Sequence, residues 1–306
     1  MSSRTNSSTL DQADSTSYAP FVYDVWKNPK VLEIVSSIAG VELIPQMDFE
    51  IAHINISMSS DADKQVVEKA MQEKAHRSAD EGVSGCGWEA EEDDEPIVDW
   101  HTDSYPFVCV TMLSDCTNMI GGETALRTGT GDIMKVRGPM MVSTHLLRKI
   151  SLLTSQGNAV VLQGRYIEHQ ALKVIGGTER ITMVTSFRPK SAFVRDDTVL
   201  TTVRSISNLP ELYSQYAEYR FEILEERIRA HLRDIRERKR ARRGFHTAST
   251  KYFIAEQQNF LHSMLREIVD DDKVIKGFTD DSHLLSNDLK IQLKKKARVP
   301  VFQESA

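Results

Sequence analysis

The chain has 306 residues, 40% apolar and 27% charged, with a net charge of −6. That balance suits an ordinary soluble globular protein of one substantial domain with extensions, and no apolar run approaches the roughly 18 residues needed to span a bilayer. Cys86, Cys109 and Cys116 are odd in number and form no CxxC pair, which argues for free thiols rather than a disulfide framework.

Residues 1–20 are rich in Ser, Thr and Asp and lack the apolar stretch of a signal peptide. They read as a disordered N-terminus of a cytoplasmic or nuclear protein. A helix follows, with Asn28 as cap, Pro29 in the first turn and Gly40 as stop. Its Val31, Leu32, Val35 and Ile38 share a face. Residues 48–58 (DFEIAHINISM) alternate as a strand does. Residues 61–96 are polar and strongly acidic near EAEEDDE, and read as a mobile loop with room for a helix over 64–75.

From 97 to 190 short β-rich runs recur: PFVCVTML, GGETALRT, GDIMKV, AVVLQG and ITMVTSF. Their spacing points to a barrel or sandwich, in a domain bounded at 21–191. Beyond it, 192–306 reads as a helical extension. A long helix is expected over 209–243, with Leu212, Tyr216, Tyr219 and Ile223 in register and Gly244 as stop. A second covers 250–269, where Phe253, Gln257, Phe260, Met264 and Ile268 form a stripe, and a third 283–296. Such stripes need a partner surface, so 209–269 is expected to pack as an antiparallel pair against the barrel or, in a homodimer, against a second subunit.

The segment WHTDSYPF places His101 and Asp103 two residues apart, on one face if the segment is a strand. A further histidine, His169, stands in RYIEHQAL. Two imidazoles and one carboxylate make the facial triad of non-heme Fe(II) oxygenases, which leaves positions open for substrate and dioxygen. Arg180 comes eleven residues after His169 and is suited to gripping a carboxylate through two charged hydrogen bonds. Thr182 faces the same way on a strand, and GGET at 121–124 stands between the pair and the distal histidine.

HTDSYPF, GGETALRTG and LQGRYIEHQAL…GGTERITMVTSFRP, in that order, resemble the Fe(II)/2-oxoglutarate-dependent dioxygenases, and especially a group of largely uncharacterised fungal members. The resemblance covers about 97–191, extends plausibly over 20–58, and says little of 192–306. It implies a mainly β core, a double-stranded β-helix or jelly roll. It implies His101, Asp103 and His169 as iron ligands, with Arg180 binding the distal carboxylate of 2-oxoglutarate beside Thr182. Thr124 matches a threonine that contacts the same carboxylate in some members. The activity implied couples conversion of 2-oxoglutarate and O2 to succinate and CO2 with hydroxylation, desaturation or oxidative cyclisation of a small-molecule substrate.

Other residues read two ways. Trp100 and Tyr105 either line the pocket or are ordinary strand residues. His53 reads as structural rather than functional. Arg188 meets either a substrate anion or a surface carboxylate. The run RERKRARR at 236–243 reads as a solvated helix end rather than a nucleic-acid site, since no aromatic residue interleaves it and the chain is acidic overall. Residues 142–156 interrupt an expected strand transition, as either a surface excursion or a retained intron: Val-Ser can be encoded GTNAGN, and Gln156 as CAG. The competing functions are an iron oxidase that does not use 2-oxoglutarate and a non-catalytic jelly-roll binding protein.

Overall fold

In the computed structural model the described residues are 19–58, 96–114, 124–136, 157, 159–172 and 179–277. The expectations for 1–18, 61–95, 142–156 and 283–296 lie outside them.

The expected helix stands as Pro29–Ala39 (α2), capped by Asn28 and stopped at Gly40, and a further short helix, α1 (Pro20–Lys27), precedes it. Asn28 separates them: its side chain accepts from the Lys30 amide at 2.9 Å, a cap of the kind that contributes about 1 kcal/mol. Gly40 closes α2 at φ 73°, a conformation that favours glycine.

The strand expected over 48–58 is shorter. Residues Asp48–Glu50 form a 3-10 turn, Ala52 has φ 65°, and the strand β2 runs His53–Met58. Phe49, Glu50 and Ile51 are all buried, so alternation is absent at this end.

The strands are β1 (Leu43–Pro45), β2, β3 (Pro96–His101), β4 (Phe107–Met112), β5 (Thr124–Arg127), β6 (Ile133–Val136), β7 (Ala159–Leu162), β8 (His169–Leu172) and β9 (Glu179–Pro189). They make two antiparallel sheets. The larger has the order β1-β9-β4-β7, with β2 also on β9; the smaller has the order β3-β8-β5-β6. Thus β4 pairs β7 in one sheet while β3 pairs β8 in the other. The connectors β3–β4 and β7–β8 therefore cross between the sheets side by side.

Phe107, Cys109 and Phe187 alternate along one face of the larger sheet and form a core with Trp26, Val35 and Leu43 from the N-terminal region. Burial raises the Cys109 thiol to about 11, so this cysteine is inert packing.

Three helices come after β9: α3 (Thr201–Arg204), α4 (Leu209–Arg240) and α5 (Thr247–Glu267). Arg242, at φ 52°, takes the left-handed conformation expected of Gly244, and α4 ends earlier than expected. Leu212, Tyr216, Tyr219, Ile223, Phe260 and Met264 are buried together with Met47, Phe49 and Tyr105. The stripes of α4 and α5 thus meet each other and the strand domain of the same chain. Ile268, at the end of the α5 stripe, is exposed.

A buried polar network locks this packing. Arg220 donates to Asp196 Oδ2 at 3.0 Å and to Ser263 Oγ at 2.6 Å, with its guanidinium 3.7 Å from the centre of the Phe260 ring. Glu267 accepts from the Leu200 amide at 2.7 Å and pairs with Arg204 at 2.9 Å. Arg188 is buried: it donates to Gln46 O at 3.4 Å and lies 4.6 Å over the Tyr219 ring.

Candidate metal centre

The crossing of the two strand pairs brings three distant side chains together. His101 ends β3, His169 begins β8, and the two are cross-strand partners. Asp103 lies in the β3–β4 connector, whose path is fixed by its amide donating to Gly164 O at 2.8 Å. Asp103 Oδ1 stands 3.4 Å from His169 Nε2 and 3.7 Å from His101 Nε2, and the imidazole centroids are 4.4 Å apart. One donor atom from each of the three falls within 4.8 Å of the others.

Hydrogen bonding orients the set. His169 Nδ1 lies 2.9 Å from Ile167 O. A carbonyl only accepts, so the proton sits on Nδ1 and the Nε2 lone pair is left for an ion. Burial alone would raise the Asp103 carboxyl, but His169, His101 and Arg165 outweigh it and hold the group below the usual aspartate range. Burial likewise lowers His169, and Asp103 more than offsets this, so its imidazole lies above the ordinary value. An anionic oxygen between two imidazole nitrogens, one with a fixed tautomer, fits a divalent iron-type ion.

Sequence reasoning missed the residues that place this set. A Cβ on Gly164 would stand 1.9 Å from Asp103 Oδ2, so only glycine admits the carboxylate. Ser104 Oγ lies 2.6 Å from Thr202 Oγ1, tying the connector to α3. Arg165 donates to Thr102 Oγ1 at 3.1 Å. The glycine in QGRY was the one visible signal; the other partners are far apart in sequence.

The remaining candidates sit elsewhere on the sheets. Arg180 and Thr182 share a face of β9, Arg180 opposite Ser57 and Thr182 between Asn55 and Met112. Thr182 is buried and Arg180 partly so. Thr124 opens β5 two residues before Leu126, the partner of His169. Tyr105 belongs to the core with α4. Trp100 carries the Arg127 guanidinium 4.9 Å over its ring. His53 is partly buried and its imidazole is lowered by desolvation.

No family model matches the chain, and no curated protein matches it. Among solved structures, a 2OG-Fe(II) oxygenase family oxidoreductase from Burkholderia pseudomallei shares 12% identity over 58% of this chain and 62% of its own, under two thirds of its length, with a TM-score of 0.34. A prolyl 4-hydroxylase from Phytophthora capsici shares 12% over 85% of this chain and 77% of its own, with a TM-score of 0.31. A prolyl-4-hydroxylase from Pseudomonas putida shares 15% over 55% of this chain and 88% of its own, with a TM-score of 0.20. The chemistry of the site is set by its own residues. Among the described residues, no helix is long and apolar enough to cross a membrane.

Proposed function

We propose that this chain is an Fe(II)-dependent oxygenase with 2-oxoglutarate as co-substrate, built on a double-stranded β-helix. The observation that carries the reading is the convergence of His101, Asp103 and His169 where the strand pairs cross, with donor atoms within 4.8 Å. Three protein ligands leave coordination positions for co-substrate, and iron with dioxygen supplies the oxidising chemistry when bound.

The chain's own residues orient and exclude. The Ile167 carbonyl holds the His169 tautomer, and Gly164 and Ser104 hold the Asp103 connector. Arg180 receives the distal carboxylate of 2-oxoglutarate, with Thr182 and Thr124 beside it.

The test uses Mn(II), which reports occupancy without oxidation, and Fe(II) for turnover. Wild type binds one ion per chain and releases succinate from 2-oxoglutarate; His101→Ala and Asp103→Ala do neither. Arg180→Ala keeps the ion but weakens 2-oxoglutarate by about two to three orders of magnitude, the consequence of leaving a buried carboxylate unpaired. Metal binding without succinate would favour an iron oxidase, and no metal binding would favour a non-catalytic binding protein.

A further inference from the structure

The stripe of α4 that meets the sheets and α5 ends at Ile223, and no side chain of residues 224–256 is fully buried among the described residues. The distal part of α4, the turn after it and the first turns of α5 therefore stand off the rest of the chain as a helical arm. A helix in a protein draws most of its stability from burying an apolar face, and this arm has no such burial within its own chain.

A second apolar stripe runs along α4, on the side away from the core. Leu212, Tyr216, Tyr219 and Ile223 face inward. At about 100° per residue, Phe221, Ile228 and Leu232 fall on the opposite side of the helix, and they are 54%, 41% and 42% exposed. Partly buried Ile235 lies beside them. Phe221, Ile228 and Ile235 recur every seven residues, the period of a seam between two helices.

Charge is segregated along the same helix. Glu211, Glu218, Glu222, Glu225 and Glu226 occupy the half nearer the sheets, where Arg220 is buried on Asp196. From Arg227 to Arg240 arginine dominates, against Asp234 and Glu237. An apolar stripe flanked by acid at one end and base at the other is complementary to itself turned end for end, the requirement of a two-fold interface. A nucleic acid would match the basic half but neither the acidic half nor the stripe.

We propose that the outward face of α4 binds a second copy of this chain, the two α4 helices lying antiparallel about a two-fold axis near Ile228. Phe221 then packs near Ile235 of the partner subunit. Glu218 and Glu222 lie along the flank that carries Arg236 of the partner subunit and Arg233 of the partner subunit. Each arm is covered by the acidic half of the other copy's α4. The stripes facing the core stay within their own chain, so the interface adds to the packing of α4 and α5 and replaces none of it.

Sedimentation velocity on the full chain tests this. Wild type should run as a dimer that dissociates on dilution, and more readily at high salt. Ile228→Lys and Leu232→Lys replace exposed residues, so the monomer should fold, while dimerisation should weaken by about a hundredfold, since each change removes two apolar side chains from the interface. A charge swap reads the orientation. Glu218→Arg with Glu222→Arg, and separately Arg233→Glu with Arg236→Glu, should each weaken the homodimer by about tenfold. Mixing the two reversed proteins should restore a heterodimer of wild-type affinity, because every flank contact is again between opposite charges. All four positions are exposed, and circular dichroism verifies the fold of each variant. A monomeric wild type overturns the proposal, as do lysine variants that dimerise like wild type. Reversed variants that weaken without rescue on mixing overturn the antiparallel arrangement. A monomer that binds a DNA duplex overturns it in favour of nucleic acid.

Discussion

Gly164 and Asp103 are in such close approach that a methyl group at position 164 would lie 1.9 Å from Asp103 Oδ2 and 2.7 Å from its Cγ. No carbon and oxygen coexist at that distance, so Gly164→Ala must rotate the carboxylate away or push the two connectors apart. The Asp103 amide bond to Gly164 O would go with them. The variant should fold, because neither the β4–β7 nor the β3–β8 pairing includes position 103 or 164. Mn(II) affinity should fall by about tenfold to a hundredfold, the range for disturbed support of a metal ligand. Unchanged affinity in a folded Gly164→Ala protein would show that Asp103 is not a ligand in this conformation.

His169 supplies a pH test with a definite sign. In the metal-free protein its imidazole is raised, by Asp103 and by the Ile167 carbonyl acting against burial. The His169–Asp103 interaction therefore adds stability that is complete below the unfolded histidine value and is lost as pH rises through the folded value. An ion competes with that proton, so the opposite trend holds for metal. The rise in melting temperature on adding Mn(II) should be small near pH 6, about half a unit below an unperturbed histidine, and should grow through pH 8. Proton release measured on Mn(II) addition near neutral pH should accompany it. A metal-induced shift independent of pH across this window would separate His169 from the ion.

The triad was legible because two of its members are neighbours in sequence and the third opens a β-rich run. A strand presents every second side chain to one face, which is the content of the His101–Asp103 spacing, although the structure places Asp103 just past the end of β3. The apolar stripes of α4 and α5 were legible for a similar reason, since a helical period survives whatever the helix packs against. What stayed hidden was long-range. Asp196 and Arg220 meet from different elements across 24 positions, Ser104 and Thr202 across 98, and Leu200 is held by Glu267 across 67. Nothing local marks such pairs. Residues 48–52 misled for another reason: Phe49, Glu50 and Ile51 are all buried, so the sheet period never begins there.

The Arg220–Asp196 pair offers a stability test. Their side chains are 1% and 3% exposed, and Arg220 also holds Phe260 O and Ser263 Oγ. Removing one partner strands a buried charge, which typically costs about 3–5 kcal/mol. Arg220→Met should lose that much in urea unfolding, and α5 should detach before the sheets melt. Adding Asp196→Asn should recover part of the loss, because the stranded carboxylate is then gone. Equal stability of Arg220→Met and wild type would mean that the helices are held by their apolar stripe alone.

Residues 142–156 provide the last test, which begins at the gene. We propose that these fifteen codons are a retained intron, a whole number that keeps the reading frame. Removing them joins Met141 to Gly157 and gives GPMMGNAVVLQGRYIEHQAL. The structural requirement downstream is modest. Gly157, at φ 88°, donates to Met112 O at 2.8 Å, and β7 then pairs with β4 from Ala159 to Leu162. Each of those contacts joins residues on either side of the removed segment and uses none of its residues. Shortening a connection by fifteen residues also lowers the entropy cost of closing it, by an amount on the order of 1 kcal/mol or less. The deletion protein should therefore fold, melt no lower than the full chain, and bind Mn(II) through the same three ligands. The insertion also places Arg148 and Lys149 among apolar residues, so its removal should not lower solubility. Sequencing the mature transcript decides the origin of the segment, and melting curves of the two proteins decide its structural role. Codons for 142–156 in the mature messenger, together with a deletion that fails to fold, would make the segment a genuine part of the structure.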